Sequence, residues 1–163
     1  MDSRLQREEM DRIMSVRQAT INDLPAWQAL EDEVAPLFII PCKTDENRAK
    51  EMIENFEILV AVDCHTNDCM GVIGISRTKN QITFFAVFEK YQKRGVGNCL
   101  LSTALRELDT NKDIFVNTFQ SGYPPGEPAQ KLYRKYGFNI EELHSYQNPP
   151  PTCTLTRPGL CTK

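Results

Sequence analysis

Apolar residues change their spacing several times along this chain, and each change predicts an element. Leu24, Trp27, Leu30 and Val34 recur at three- or four-residue steps, which predicts a helix that runs until Pro36. Thr20, followed three residues later by Asp23, resembles a capping box at its start, with Asp in place of the usual Glu. A second helix is predicted over 45–56, with Ala49, Met52, Ile53 and Phe56 on one side. Ahead of both, residues 15–19 read as a short strand. Residues 1–14 are polar, carry no apolar face, and read as a mobile arm or an extra helical turn.

The period then shortens. Residues 57–62 and 70–76 are apolar runs rich in branched side chains, and the polar stretch His65-Thr66-Asn67-Asp68 between them predicts a hairpin. A third run, 82–88, is apolar on both alternating faces, which predicts a strand covered on both sides inside the sheet. From Gly95 the helical period returns with Val96, Leu100, Leu101, Ala104, Leu105 and Leu108, and Cys99 within it reads as core. Residues 114–116 read as another buried strand, and 120–126 as a loop. Pro128 suits the first turn of a helix carrying Ala129, Leu132, Tyr133 and Tyr136 and ended by Gly137. Strand-like pieces follow around 140–146 and 152–156, on either side of Pro149-Pro150-Pro151. Without a repeat or a linker, residues 15–163 are expected to form one domain of the α/β (α+β) class, with helices flanking a central sheet.

Composition narrows the function classes. The chain has 163 residues, with 19 Lys+Arg against 22 Asp+Glu and a net charge of -3, which argues against a nucleic-acid binder. Its 40% apolar content excludes wholesale disorder. No apolar run reaches the ~18–20 residues of a membrane span. Residues 1–12 are charged and lack the apolar stretch of a secretory signal, so a soluble cytoplasmic protein is expected. The six cysteines are accordingly expected as thiols. Cys64, His65 and Cys69 form the one cluster with metal-like content. A structural zinc site needs about four ligands, and His144 is the only other histidine, so a polar turn is the better reading. Neither a metal nor a catalytic cysteine is expected.

The most informative segment is 87–98. A buried strand ends, Gly95 and Gly97 follow, and a helix begins at once. Glycine there permits a tight turn and close backbone approach, and the first amides of the helix lack internal acceptors. With the helix dipole, this makes an anion site suited to a pyrophosphate, beside the charges of Lys93 and Arg94. An ordinary strand-to-helix turn with solvated basic residues explains these residues equally well. A P-loop is excluded because Asn98 follows Gly97 where Lys is required. A dinucleotide fingerprint is disfavoured because its third glycine position is Leu100.

Gln92-x-x-Gly95-x-Gly97 after a buried strand resembles the acetyl-coenzyme A signature of the GNAT (Gcn5-related N-acetyltransferase) family. Downstream, Ala129-Gln130-Lys131-Leu132-Tyr133-Arg134-Lys135-Tyr136-Gly137-Phe138 is similar to the family's second motif, and 16–23 looks like its opening strand and turn. The resemblance implies a twisted mixed sheet of six to seven strands, flanked by about four helices, whose middle strands splay to seat acetyl-CoA. It implies that the pantetheine arm pairs with main-chain groups of Val87, Phe88 and Glu89. The pyrophosphate would rest on amides of Arg94, Gly95, Val96, Gly97 and Asn98, in a loop that also holds Gln92 and Lys93. One departure stands out: where the family often has Asn, seven residues before the motif tyrosine, this chain has Gly126.

The implied activity is transfer of an acetyl group from acetyl-CoA to a primary amine of a small molecule or peptide by direct attack. A thioester is already activated, so the tasks are to stabilise an oxyanion, accept the amine's proton and protonate the thiolate. A backbone amide near Val87 suits the first. Pattern alone makes Tyr133 a core tyrosine held by one hydrogen bond; the resemblance makes it the acid. Glu31, Glu33, Glu89 and a water chain stay open as routes for the amine's proton, whereas Gln81 cannot serve. Acceptor selection is expected in 34–41 and 120–126. A non-catalytic acyl-CoA-binding module is the alternative, and thioester hydrolysis has no motif here. A homodimer through terminal strands is an expectation by analogy alone.

Overall fold

In the computed structural model, residues 3–5, 13–37, 43–144 and 151–160 are described. The strands are β1 (Met14–Gln18), β2 (Ile58–Asp63), β3 (Cys69–Ser76), β4 (Gln81–Val87), β5 (Ile114–Phe119), β6 (Ile140–Leu143) and β7 (Thr152–Arg157). They form one seven-stranded sheet in the order β1-β2-β3-β4-β5-β7-β6. The helices are α1 (Leu24–Val34), α2 (Glu46–Glu54), α3 (Val96–Glu107) and α4 (Glu127–Lys135). Short 3-10 turns cover Ile21–Asp23, Ala35–Leu37, Glu89–Tyr91 and Pro124–Gly126. The element order expected from the apolar spacing is the one observed, with ends displaced by one to three residues. The strand expected over 140–146 ends at Leu143, and its last two positions, like 38–41, lie outside the described residues.

The first strand begins at Met14, which is buried, one residue ahead of its expected start. Residues 3–5 are helical and exposed.

Two apolar layers sandwich the sheet. α3 and α4, with Phe138 just beyond α4, pack on one face through Leu100, Leu101, Ala104 and Tyr133 against Leu59, Ala61, Ile73, Ile114, Val116 and Leu155. On the other face α1 and α2 bring Trp27, Leu30, Met52 and Ile53 against Ile58, Val60, Val62 and Val72. Alternate residues of β2 therefore enter opposite layers, which is why its run is apolar throughout. The β2–β3 hairpin is antiparallel. Its turn is capped by the Asp63 carboxylate, which accepts from the amides of His65 and Thr66.

β4 is interior to the sheet, as expected, and its residues enter both apolar layers: Ile82, Phe85 and Val87 on the side of α3 and α4, Phe84 and Ala86 on the side of α1 and α2. Thr83 is exposed, and Phe84, Phe85 and Val87 are half-buried. On its other edge the pairing is short: parallel β5 pairs with it only at Gln81↔Phe115 and Ile82↔Val116, and the strands then part. Cys99, expected in the core, is likewise half-buried.

Asp23 joins β1 to the start of α1. It takes a bidentate contact from Arg17 at 2.7 and 3.0 Å and accepts from the Thr20 amide at 2.8 Å. Burial pushes its carboxyl up, but the Arg17 and Thr20 hydrogen bonds outweigh this and hold its pKa below the ordinary 3.8. A depressed carboxyl stabilises the fold above its unfolded pKa, and the gain is lost as pH falls through the folded one. In urea titrations, Asp23→Asn should therefore be less stable than wild type at neutral pH, and the difference should shrink as pH drops below 3.8. Truncating the fully buried Phe138, Phe138→Ala, should cost about 3–5 kcal/mol in the same assay.

Candidate active site

The end of β4 offers an open backbone edge. The amide of Phe88 donates to the Met70 carbonyl of β3 at 3.1 Å. Main-chain groups alternate sides along a strand, so those of Phe85 and Val87 face away from β3, toward the gap left by β5. The Val87 carbonyl accepts from Gln92 Nε2 at 3.2 Å. Of the three residues expected to offer main-chain groups, Val87 is the one whose amide faces that gap, its carbonyl being taken by Gln92. The amide of Phe88 is spent on β3, and that of Glu89 donates to Glu33 Oε2 at 3.0 Å.

A loop and a helix N-terminus continue from this edge. The turn Glu89–Tyr91 closes through Tyr91 N–H to the Phe88 carbonyl and Gln92 N–H to the Glu89 carbonyl. Lys93 and Gly95 then adopt left-handed φ of 63° and 84°. Glycine accepts this readily; for Lys93 it costs roughly 1–2 kcal/mol, a strain found at ligand-binding loops. In α3 the first helical bond near the loop is Cys99 N–H to the Gly95 carbonyl at 3.2 Å, and Gly95 supplies no side-chain cap. The amides of Val96, Gly97 and Asn98 precede it without helical acceptors. Around them Lys90, Lys93 and Arg94 are exposed, with the Lys90 ammonium 5.0 Å and the Arg94 guanidinium 5.8 Å from the Tyr91 ring centre. This is a positive, donor-rich helix N-terminus suited to an anion.

The two motif segments meet at Asn98, whose Oδ1 accepts from Lys135 Nζ at 3.0 Å and from the Tyr136 hydroxyl at 3.3 Å. A Cβ on Gly97 would lie 3.1 Å from a Leu132 methyl and 3.4 Å from the Phe85 ring, so glycine lets α4 close on α3. Tyr133 is 3% exposed, its ring 5.9 Å from Phe85 and 5.6 Å from Phe138. Its hydroxyl has no hydrogen-bond partner among the described residues, unlike the anchored core tyrosine that pattern alone suggests. Burial pushes its pKa above the ordinary 10, so it is a phenol at neutral pH.

Two carboxylates of α1 accept from backbone amides, one buried and one exposed. Glu31 is 5% exposed and its Oε2 accepts from the Thr44 amide at 2.8 Å. Glu33 holds the Glu89 amide. The Glu89 side chain is exposed. Sequence reasoning missed Glu33 as a backbone partner. The available signal was a carboxylate in the last turn of a helix, where the dipole opposes it.

At Gly126 the room for a side chain is closed, since a Cβ would sit 2.5 Å from Phe119 Cβ. No asparagine-like contact can arise from that position. Cys64 is exposed and Cys69 half-buried, its thiol pushed up to about 11 by burial.

A family model for the acetyltransferase (GNAT) domain matches residues 54–140, more than half of the chain. The chain belongs to the GNAT acetyltransferase family. No curated protein matches its sequence. Solved structures share the fold at low identity. A GNAT-family acetyltransferase from Bacillus cereus is 18% identical, with TM-score 0.69, over 91% of this chain and 99% of that one. The ribosomal-protein-S18-alanine N-acetyltransferase of Escherichia coli is 17% identical, with TM-score 0.72, over 93% and 97%. Arabidopsis thaliana Naa50, solved with the bisubstrate analogue CoA-Ac-MVNAL, is 19% identical, with TM-score 0.64, over 88% and 96%.

Placing a side chain on the left-handed Gly95 should strain the loop directly. Gly95→Ala is expected to lose about 1–2 kcal/mol in thermal or urea unfolding, with weaker CoA binding by calorimetry.

Proposed function

We propose that this chain is an N-acetyltransferase that moves the acetyl group of acetyl-CoA to a primary amine of a small molecule or a peptide amino terminus. One observation carries the reading: the open edge of β4 at Val87 runs directly into the unsatisfied amides at the start of α3, with Tyr133 packed beside it. An extended amide-bearing arm fits the first and a diphosphate the second, which is the shape of CoA. The activity named for the Escherichia coli structure and the bisubstrate analogue CoA-Ac-MVNAL named for the Arabidopsis one are in keeping with a peptide amine as acceptor.

On this reading the main-chain amide of Val87 binds the thioester carbonyl and stabilises the oxyanion as the neutral amine attacks. The C–N bond forms, the C–S bond breaks, and the Tyr133 hydroxyl donates to the departing sulfur. Water takes the amine's proton and returns one to Tyr133. Glu31 and Glu33 each accept from a backbone amide, and a water route for the proton needs neither of them. Those same commitments, with the closed position at Gly126, are what an acyl-CoA-binding module without turnover would also show.

The two readings separate in one assay, release of free CoA from acetyl-CoA across a panel of amines. Transfer predicts amine-dependent release; binding without release on any amine would identify the module. Tyr133→Phe keeps the ring between Phe85 and Phe138 and should lower turnover about 100-fold or more, with little change in acetyl-CoA affinity. Full activity in that variant would exclude Tyr133 as the acid.

A further inference from the structure

We infer that Glu33 is a positioning residue: from the last turn of α1 it caps the 3-10 turn that leads into the anion loop, so that the grip on CoA depends on α1. The inference rests on the acetyl-CoA reading above and adds a residue to it.

The turn Glu89–Tyr91 starts without a cap of its own. Its N-cap residue is Phe88, whose side chain has no acceptor, and no side-chain cap is present there. The first amide of the turn, that of Glu89, instead donates to Glu33 Oε2 at 3.0 Å, across 56 residues of chain. A carboxylate accepting from the N-terminus of a turn does the work of an N-cap Asp, supplied here from another element. The far end of the turn is fastened by Gln92, whose side chain donates to the Val87 carbonyl. Lys93 and Gly95 follow immediately, so the orientation of the turn sets where the strained loop and the α3 amides point.

Within α1 the placement of Glu33 is unfavourable, because a carboxylate near a helix C-terminus opposes the dipole. The contact with Glu89 offsets that local cost. Glu31, two residues earlier, holds the Thr44 amide ahead of α2. One helical turn therefore ties down the segment entering α2 and the segment entering the anion loop together. A shift of α1 is transmitted to the loop through Glu33, and ordering of the loop by CoA is transmitted back, since such coupling is reciprocal.

Three proteins decide the matter: wild type, Glu33→Ala and Glu33→Gln, each shown folded by near-ultraviolet circular dichroism. Without ligand, hydrogen exchange at the Glu89 amide should speed up in Glu33→Ala and stay near wild type in Glu33→Gln, whose amide oxygen still accepts. Calorimetry with CoA should show an affinity about three- to tenfold weaker in the Ala variant, the size of one lost hydrogen bond, and about wild-type in the Gln variant. CoA should add exchange protection at residues 33–37 in wild type and the Gln variant, and not in the Ala variant. Wild-type exchange and affinity in Glu33→Ala would overturn the proposal, as would a Gln variant as weak as Ala. A wild type that takes up no CoA at millimolar concentration would refute the acetyl-CoA reading and remove this role with it. The ligand-free exchange at Glu89 distinguishes the two failures.

Discussion

The parting of β4 from β5 governs this structure. Buried main-chain groups require hydrogen-bond partners, and a strand inside a sheet normally finds them on both sides. After Ile82 and Val116, β4 is paired on the β3 side only, so the main-chain groups of Val87 face a gap in the middle of the sheet. Such an edge is a standing site for an added strand-like segment. The left-handed Gly95, the free amides of α3 and the ring of Tyr133 are all arranged around that opening.

Different forces hold the parts of the opening. The two helical layers are fixed by apolar burial, with Trp27, Leu30, Leu100, Leu101 and Phe138 almost entirely out of water. The orientation of the site is fixed by a few polar contacts between distant segments: Lys135 and Tyr136 on Asn98, Gln92 on Val87, and Glu33 on Glu89. Exposed contacts of this kind add little stability, typically about 0.5–1.5 kcal/mol each, but they are directional. Burial makes the fold and the polar contacts aim it.

The loop between β5 and α4 shows the same division. Its Gly, Pro and Ser residues have little apolar surface to bury, and polar groups anchor it instead. Gln130 Nε2 donates to the Phe119 carbonyl at 2.8 Å, Arg134 bridges Ser121 and Glu141, and the Gly122 amide donates to Glu127 Oε1 at 2.8 Å. The Phe119 side chain fills the space that a larger residue at 126 would need, so glycine at that position and phenylalanine at the end of β5 form one steric arrangement.

Apolar spacing determined the elements, because helix and strand periods depend only on local geometry. It was enough for the β2–β3 hairpin, the apolar stripes of α3 and α4, and the turn with Gly95 and Gly97 at the start of α3. Motif spacing also singled out Tyr133 and the loop residues. Tertiary structure alone decided the rest. How far β4 stays paired with β5 is something no pattern within β4 records. The commitment of Glu31 and Glu33 to the amides of Thr44 and Glu89 joins segments 13 and 56 residues apart, and the closure of position 126 depends on Phe119. These are contacts between segments that only the folded chain brings within reach, and local periodicity carries no information about them.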